Sequence, residues 1–239
     1  MSKKFSLICI ICGLIFLGIG VYLNFSLSDE KEKDPVVEKD PVSEQKESLD
    51  INGDLAQGLY YMTKSSWSRT NNLIGVYHYK SDKVLTSNFE IAHLYEIVFS
   101  RLNRKGLIDN GVVSEDNVKN EFKEIFGNYV EYHSIDSFNL GCDFVTYDSI
   151  NKNYKVIYTN CVAASSISTK ILSAYRYSDK VVIEEKVLFI KDGVTYYDPD
   201  FLEVANVSID DEDEKILVYK YTFMYDKNND LYYFYSIEK

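Results

Sequence analysis

Histidine, tryptophan, proline and cysteine are scarce in this chain: its 239 residues hold three, one, three and four of them. His78, His93 and His133 form no H-E-x-x-H pair and no paired-ligand spacing. There is also no G-x-S-x-G elbow, no G-x-G-x-x-G turn and no phosphate loop. The sequence therefore assigns no catalytic, cofactor-binding or metal-binding residue, and the balance leans away from an enzyme. Positive charge is short as well. Lys and Arg number 26 against 37 Asp and Glu, a net charge of −11. That opposes binding to nucleic acid, or to an anionic membrane surface, through bulk charge. Acidic runs do occur, but without ligand order. Asp226-Lys227-Asn228-Asn229-Asp230 opens like a calcium loop, yet Leu231 stands where a glycine is needed and Ile237 where a glutamate is needed. It reads as a hairpin turn, and Asp210–Glu214 reads as a solvated loop.

What is present begins with Phe5–Phe25, an apolar run without a charge. About 20 apolar residues in a helix span a hydrocarbon core of roughly 30 Å. Lys3 and Lys4 precede the run, and Asp29, Glu30 and Glu32 follow it. Positive charge stays inside, which predicts a single-pass anchor in the cell membrane with the C-terminal domain outside. A cleaved signal peptide has a shorter core and a small-residue exit, whereas this exit reads Val21-Tyr22-Leu23-Asn24-Phe25-Ser26. Cys9 and Cys12 lie within the apolar run and read as small apolar residues facing lipid or a neighbouring helix.

The predicted organisation is a cytoplasmic stub and transmembrane anchor (1–27), a charged linker (28–48) and an extracytoplasmic domain (49–239). The linker repeats Glu32-Lys33-Asp34-Pro35-Val36 as Glu38-Lys39-Asp40-Pro41-Val42 and has too little apolar surface to bury. Beyond it, Asp54–Thr63 reads as a short helix with Leu55, Leu59 and Met62 on one face. Leu73–Tyr79 reads as a short strand. Asn88–Lys105 carries the stripe Ile91, Leu94, Tyr95, Val98, Phe99 and Leu102, with Ser87 and Glu90 placed for a capping box and Gly106 to end it. Glu115–Phe126 follows Ser114, buries Val118, Phe122, Ile125 and Phe126, and stops at Gly127.

After Gly127 the period changes from that of a helix to that of a strand. Tyr129–Ile135, Phe144–Asp148, Tyr154–Thr159, Ile171–Tyr177, Val181–Ile190, Val194–Tyr197, Ile216–Tyr225 and Leu231–Ile237 read as strands, and Asp192-Gly193 is a hairpin turn. Helices followed by antiparallel strands mean an α+β fold: two or three helices on one face of a curved sheet of about five to seven strands. Leu217, Tyr219, Tyr221 and Phe223 share one strand face, and Ile216, Val218 and Met224 the other. One face would pack on helices while the aromatic one lines a pocket or interface.

Only Cys142 and Cys161 lie outside the apolar run, in a compartment that permits a disulfide. With Asn151-Lys152 at the tip of the intervening hairpin, the two face each other across it, which predicts a Cys142–Cys161 bridge. Two free thiols are the alternative.

Four segments carry a resemblance. Phe122-Lys123-Glu124-Ile125-Phe126-Gly127-Asn128, the hairpin bounded by Cys142 and Cys161, Ala174-Tyr175-Arg176-Tyr177-Ser178-Asp179-Lys180, and the ending Tyr219-Lys220-Tyr221-Thr222-Phe223 with Tyr232–Glu238 look like uncharacterised single-pass, membrane-anchored proteins of low-GC Gram-positive bacteria. The similarity covers most of the chain after residue 54. Members often carry glycines beside the second cysteine, where this chain has Val162-Ala163-Ala164. The helix-then-sheet order also resembles nuclear transport factor 2-like and cystatin-like cones, which host both enzymes and binding modules. The resemblance implies architecture and location but no mechanism. The expectation is a membrane-tethered extracytoplasmic binding or interaction module. It would contact the bilayer through residues 5–25 and an extracellular protein or small ligand through its domain. The alternative is an extracytoplasmic enzyme with a pocket inside the cone. A deep pocket holding a histidine or carboxylate with a polar partner would favour the enzyme, and a shallow aromatic face the binding module.

Overall fold

Apolar side chains at alternate positions of Lys180–Lys191 (β8) and Leu217–Asp226 (β10) turn Val181, Ile183, Val187, Tyr219, Tyr221 and Phe223 to one buried face. That face nucleates the larger of two antiparallel sheets. The computed structural model describes residues 46–64, 83–159 and 165–239. The predicted span Phe5–Phe25, most of the linker, the Leu73–Tyr79 strand, His78 and Cys161 lie outside the described residues. Among the described residues, no helix is long and apolar enough to cross a membrane.

The larger sheet adds β1 (Glu47–Ser48), β2 (Lys83–Leu85), β7 (Ser165–Arg176), β9 (Val194–Tyr196) and β11 (Leu231–Glu238). Its order is β1-β7-β8-β10-β11-β2, with β9 paired to β8 beside that path. Bulges interrupt β7 between Ile171 and Ser173, and the β10–β11 pair at Thr222/Phe223. The second sheet has the order β3-β6-β5-β4, built from Val112–Ser114 (β3), Ser137–Leu140 (β4), Asp143–Asp148 (β5) and Asn153–Ile157 (β6). The fold class is α+β, as the sequence indicates, but the strands divide into seven and four rather than forming one sheet.

Among the described residues, three α-helices accompany these sheets: α1 (Asp54–Thr63), α2 (Ile91–Arg104) and α3 (Glu115–Phe126). In α3 the side chain of Ser114 accepts the amide of Asn117 at 3.2 Å, and the predicted face Val118, Phe122, Ile125 and Phe126 is buried. The α2 stripe holds from Leu94 to Leu102, and Ile97 joins it. Its start differs from expectation. A 3-10 turn over Thr86–Asn88 drives Phe89 into the core against Phe234, so the helix begins after Glu90 and no side-chain cap forms. Ile91, in the first turn, is therefore 38% exposed. The Gly106 stop forms as predicted, with Leu107 N bonded to Leu102 O at 3.0 Å. In α1 the buried face is Ala56, Leu59, Tyr60 and Thr63, rotated from the predicted Leu55 and Met62.

Tyr129–Ile135 is not a strand. Side chains take part in its bonds in place of a strand ladder: Tyr132 Oη meets Tyr154 Oη at 2.8 Å, and the carbonyl of His133 accepts Tyr95 Oη at 2.7 Å. The hairpin register also differs. Asp148 pairs with Asn153, because the Asp148 carboxylate takes the amides of Ile150 and Asn151 and sets a four-residue loop. In this register Thr159 comes beside Cys142, and Thr159 Oγ1 donates to the Cys142 carbonyl at 2.9 Å.

Candidate binding groove

Cross-strand register assembles a row of alternating charge on the sheet face away from the core. Ser173 of β7 pairs with Glu184 of β8, Glu184 with Lys220 of β10, Lys220 with Glu238 of β11, and Glu238 with Lys83 of β2. Ser173 Oγ also donates to Glu184 Oε2 at 2.6 Å. Side chains directly opposite lie close enough for charges to stabilise one another. Beside this row runs an aromatic border. Tyr175, next to the end of β7, has Lys46 Nζ 3.4 Å above its ring, and Lys180 Nζ lies 5.0 Å from the Tyr177 ring. Tyr235, the extra residue at the β11 bulge, meets Tyr129 edge-on at 4.9 Å. The charged row from Glu184 to Lys83 and the border of Tyr175, Tyr177 and Tyr235 line an open groove of about 510 Å³ together with Val182, Thr222 and Met224. Asp179 lines it at the β7–β8 turn.

A second open cavity, also about 510 Å³, lies between the end of α3 and the segment after it, lined by Lys119, Phe122, Lys123 and Tyr132 among others. The predicted aromatic surface of β10 is absent from both: Tyr219, Tyr221 and Phe223 are at most 1% exposed and belong to the core. They are buried in one cluster with Leu59 and Tyr60 of α1 and Phe122 and Ile125 of α3, and Val218, Lys220, Thr222 and Met224 form the other face of the strand.

The inner face holds a buried carboxylate that sequence reasoning missed. Glu185 of β8 is fully buried. It accepts Tyr60 Oη from α1, Tyr221 Oη at 2.6 Å, and Lys64 Nζ at 2.5 Å. Tyr60 Oη also lies 3.1 Å from Thr169 Oγ1. Burial first, and the Glu185 charge second, push the Tyr60 phenol well above its ordinary pKa. Burial holds the Lys64 ammonium below its ordinary value, with Glu185 acting in the opposite direction. Glu185 lines neither cavity. Both its oxygens are engaged inside the protein, which is the environment of a structural ion pair. The signal was in the sequence: Glu185 shares strand parity with Val181, Ile183 and Val187, so a charge sits on an apolar face.

The remaining predicted features are dispersed. His93 is half-buried with Nδ1 3.9 Å from Glu90, and His133 is exposed beside Glu131. In the acidic loop, Asp210 pairs with Lys170 at 2.7 Å, Asp211 accepts the Ser208 amide, and Asp213 accepts Tyr197 Oη at 2.7 Å. Asp226 and Asp230 hold a hairpin turn, as read. Among the described residues, no three His, Cys, Asp or Glu side chains converge as metal ligands. No family model matches the sequence, and neither a curated protein nor a solved structure matches the chain.

Proposed function

We propose that this protein is a membrane-tethered extracytoplasmic binding module whose ligand lies in the outer-face groove. The groove is the observation that carries the reading. It is open, it is bordered by Tyr175, Tyr177 and Tyr235, and it alternates cationic and anionic side chains along one row. Tyrosine supplies large contact area at little entropic cost and is enriched where binding energy concentrates. The enzyme alternative would have to draw on the groove carboxylates Asp179, Glu184 and Glu238, since Glu185 has both oxygens occupied inside the core.

In this reading residues 5–25 anchor the chain in the bilayer, the linker stands the domain off the surface, and nucleic acid is not a partner. Grouping with single-pass proteins of low-GC Gram-positive bacteria, the cone analogy and the Cys142–Cys161 bridge belong to the same proposal. The contact of Thr159, two residues before Cys161 in the sequence, with the Cys142 carbonyl supports that bridge.

A photo-crosslinking residue at Tyr177 of the full-length protein in cells tests the groove, with the exposed turn residue Lys227 as control. A product specific to Tyr177 supports it, and identical products from the two sites overturn it. Protease added to intact cells tests the orientation: a C-terminal tag protected until lysis would reverse it.

A further inference from the structure

We propose that the outer edge of β7 pairs with the same strand of a second copy, joining two larger sheets into one. β7 bonds to β8 from Ser165 to Arg176. On its other side β1 covers only Tyr175 and Arg176, and Leu49 N adds one bond to the Ala174 carbonyl at 2.9 Å. Among the described residues, no strand pairs with this edge from Ser165 to Ser173. Each residue there carries a backbone donor and acceptor, and those of alternate residues aim at the open edge. β1 demonstrates that the edge accepts an antiparallel strand.

Edges that must stay unpaired are guarded by outward charges, prolines, bulges or short length. This edge is weakly guarded. It has no proline, and its bulge lies at one end, between Ile171 and Ser173. Its one charge, Lys170, is held by Asp210 at 2.7 Å. Among the described residues, no strand lies against the straight part, Ser165–Ile171.

The sequence of that part fits its own reverse. An antiparallel register centred on Thr169 sets Ile167 opposite the second copy's Ile171, and Ser168 opposite its Lys170. Ile167 is 8% exposed and Ile171 packs on the same core, so the isoleucines lie on the core side and meet their counterparts there. No like charges oppose one another. The pairing is a closed two-fold that consumes the free edge of both partners, so assembly stops at a dimer. A single edge contact falls below the roughly 1,200–2,000 Å² of a stable interface, so the dimer is weak when the chain is dispersed. Confinement to a membrane, which rests on the anchor proposed above, raises the effective concentration.

Oxidative crosslinking of the full chain in its own membrane tests this, with the unsubstituted chain as baseline for its native cysteines. Ser168→Cys with Lys170→Cys in one chain should give severalfold more covalent dimer than either substitution alone, because each cysteine then faces the other kind across the joint. A double variant no different from the unsubstituted chain overturns the pairing. Ser168→Cys alone matching the double variant overturns the Thr169 register. A crosslinked product containing a different protein overturns the second copy as occupant. The same comparison on the purified full chain in detergent separates this inference from the anchor: there the order of yields should persist at high concentration while the total falls.

Discussion

Tyr60, near the end of the first helix after the linker, donates its hydroxyl to Glu185, 125 positions later at the centre of the larger sheet. With Lys64 and Tyr221 it makes the docking of α1 depend on one carboxylate. Removing one member of a buried ionic cluster leaves the others desolvated and unpaired. Glu185→Ala should therefore cost about 3–5 kcal/mol, and Tyr221→Phe about 1–3. Glu184, the next residue, faces outward, so Glu184→Gln should stay within about 0.5 kcal/mol. Urea denaturation of the compact unit Glu44–Lys239 measures all three. If Glu185→Ala proves no worse than Glu184→Gln, the cluster does not hold α1.

A second hydroxyl chain should govern the alkaline limit. Tyr95, Tyr154 and Tyr132 link through their oxygens at 2.9 and 2.8 Å, and Tyr132 reaches Glu115 at 3.3 Å. Burial, first among the causes, raises all three phenol pKa values. A raised pKa in the folded state means that folding favours the neutral phenol. This contribution is thus fully present below the unfolded phenol value, about 10, and is lost as pH rises above it. Phenolate absorbance from these rings should appear together with unfolding, as a cooperative step after the exposed tyrosines have titrated. Smooth titration of all tyrosines without loss of secondary structure would show that the chain is open to hydroxide.

The parts legible in the sequence were those decided locally. α3 begins and ends where Ser114 and Gly127 put it, and Asp192-Gly193 turns because both residues adopt positive φ. What was hidden depends on partners far along the chain. The apolar pattern starts a strand only at Ile171, yet pairing with β8 extends it back to Ser165. The strands divide into two sheets through pairings such as β3 with β6, which no local pattern encodes. The groove was hidden for the same reason. Glu184, Lys220 and Glu238 become neighbours only through register, and the β11 bulge decides that Tyr235 joins them.

The bridge proposed for Cys142 makes a chemical prediction. Closing a loop of about 20 residues is worth roughly 3 kcal/mol in the chain-entropy model. In Glu44–Lys239, which excludes Cys9 and Cys12, a thiol reagent should label nothing before reduction and both Cys142 and Cys161 afterwards. Equal labelling before and after would remove the bridge.

Gly127 offers the sharpest test of how α3 meets the larger sheet. It ends the helix at φ 56°, ψ −126°, a conformation open almost only to glycine. A Cβ there would lie 2.6–2.8 Å from three ring atoms of Tyr233, whose side chain is buried on β11. Gly106 ends α2 at φ 67° with nothing within 4 Å of its own added Cβ. Gly106→Ala should cost only the left-handed backbone penalty, about 1–2 kcal/mol. Gly127→Ala adds a clash to its strain and should cost more, about 3 kcal/mol or above. The excess is specific to Tyr233, so Tyr233→Leu should recover part of it in the double variant, whereas the same replacement should do nothing for Gly106→Ala. A double-mutant cycle on thermal or urea unfolding reads the coupling directly. Zero coupling between positions 127 and 233 would mean that the helix end does not rest on the ring, and that its stop is set by backbone conformation alone.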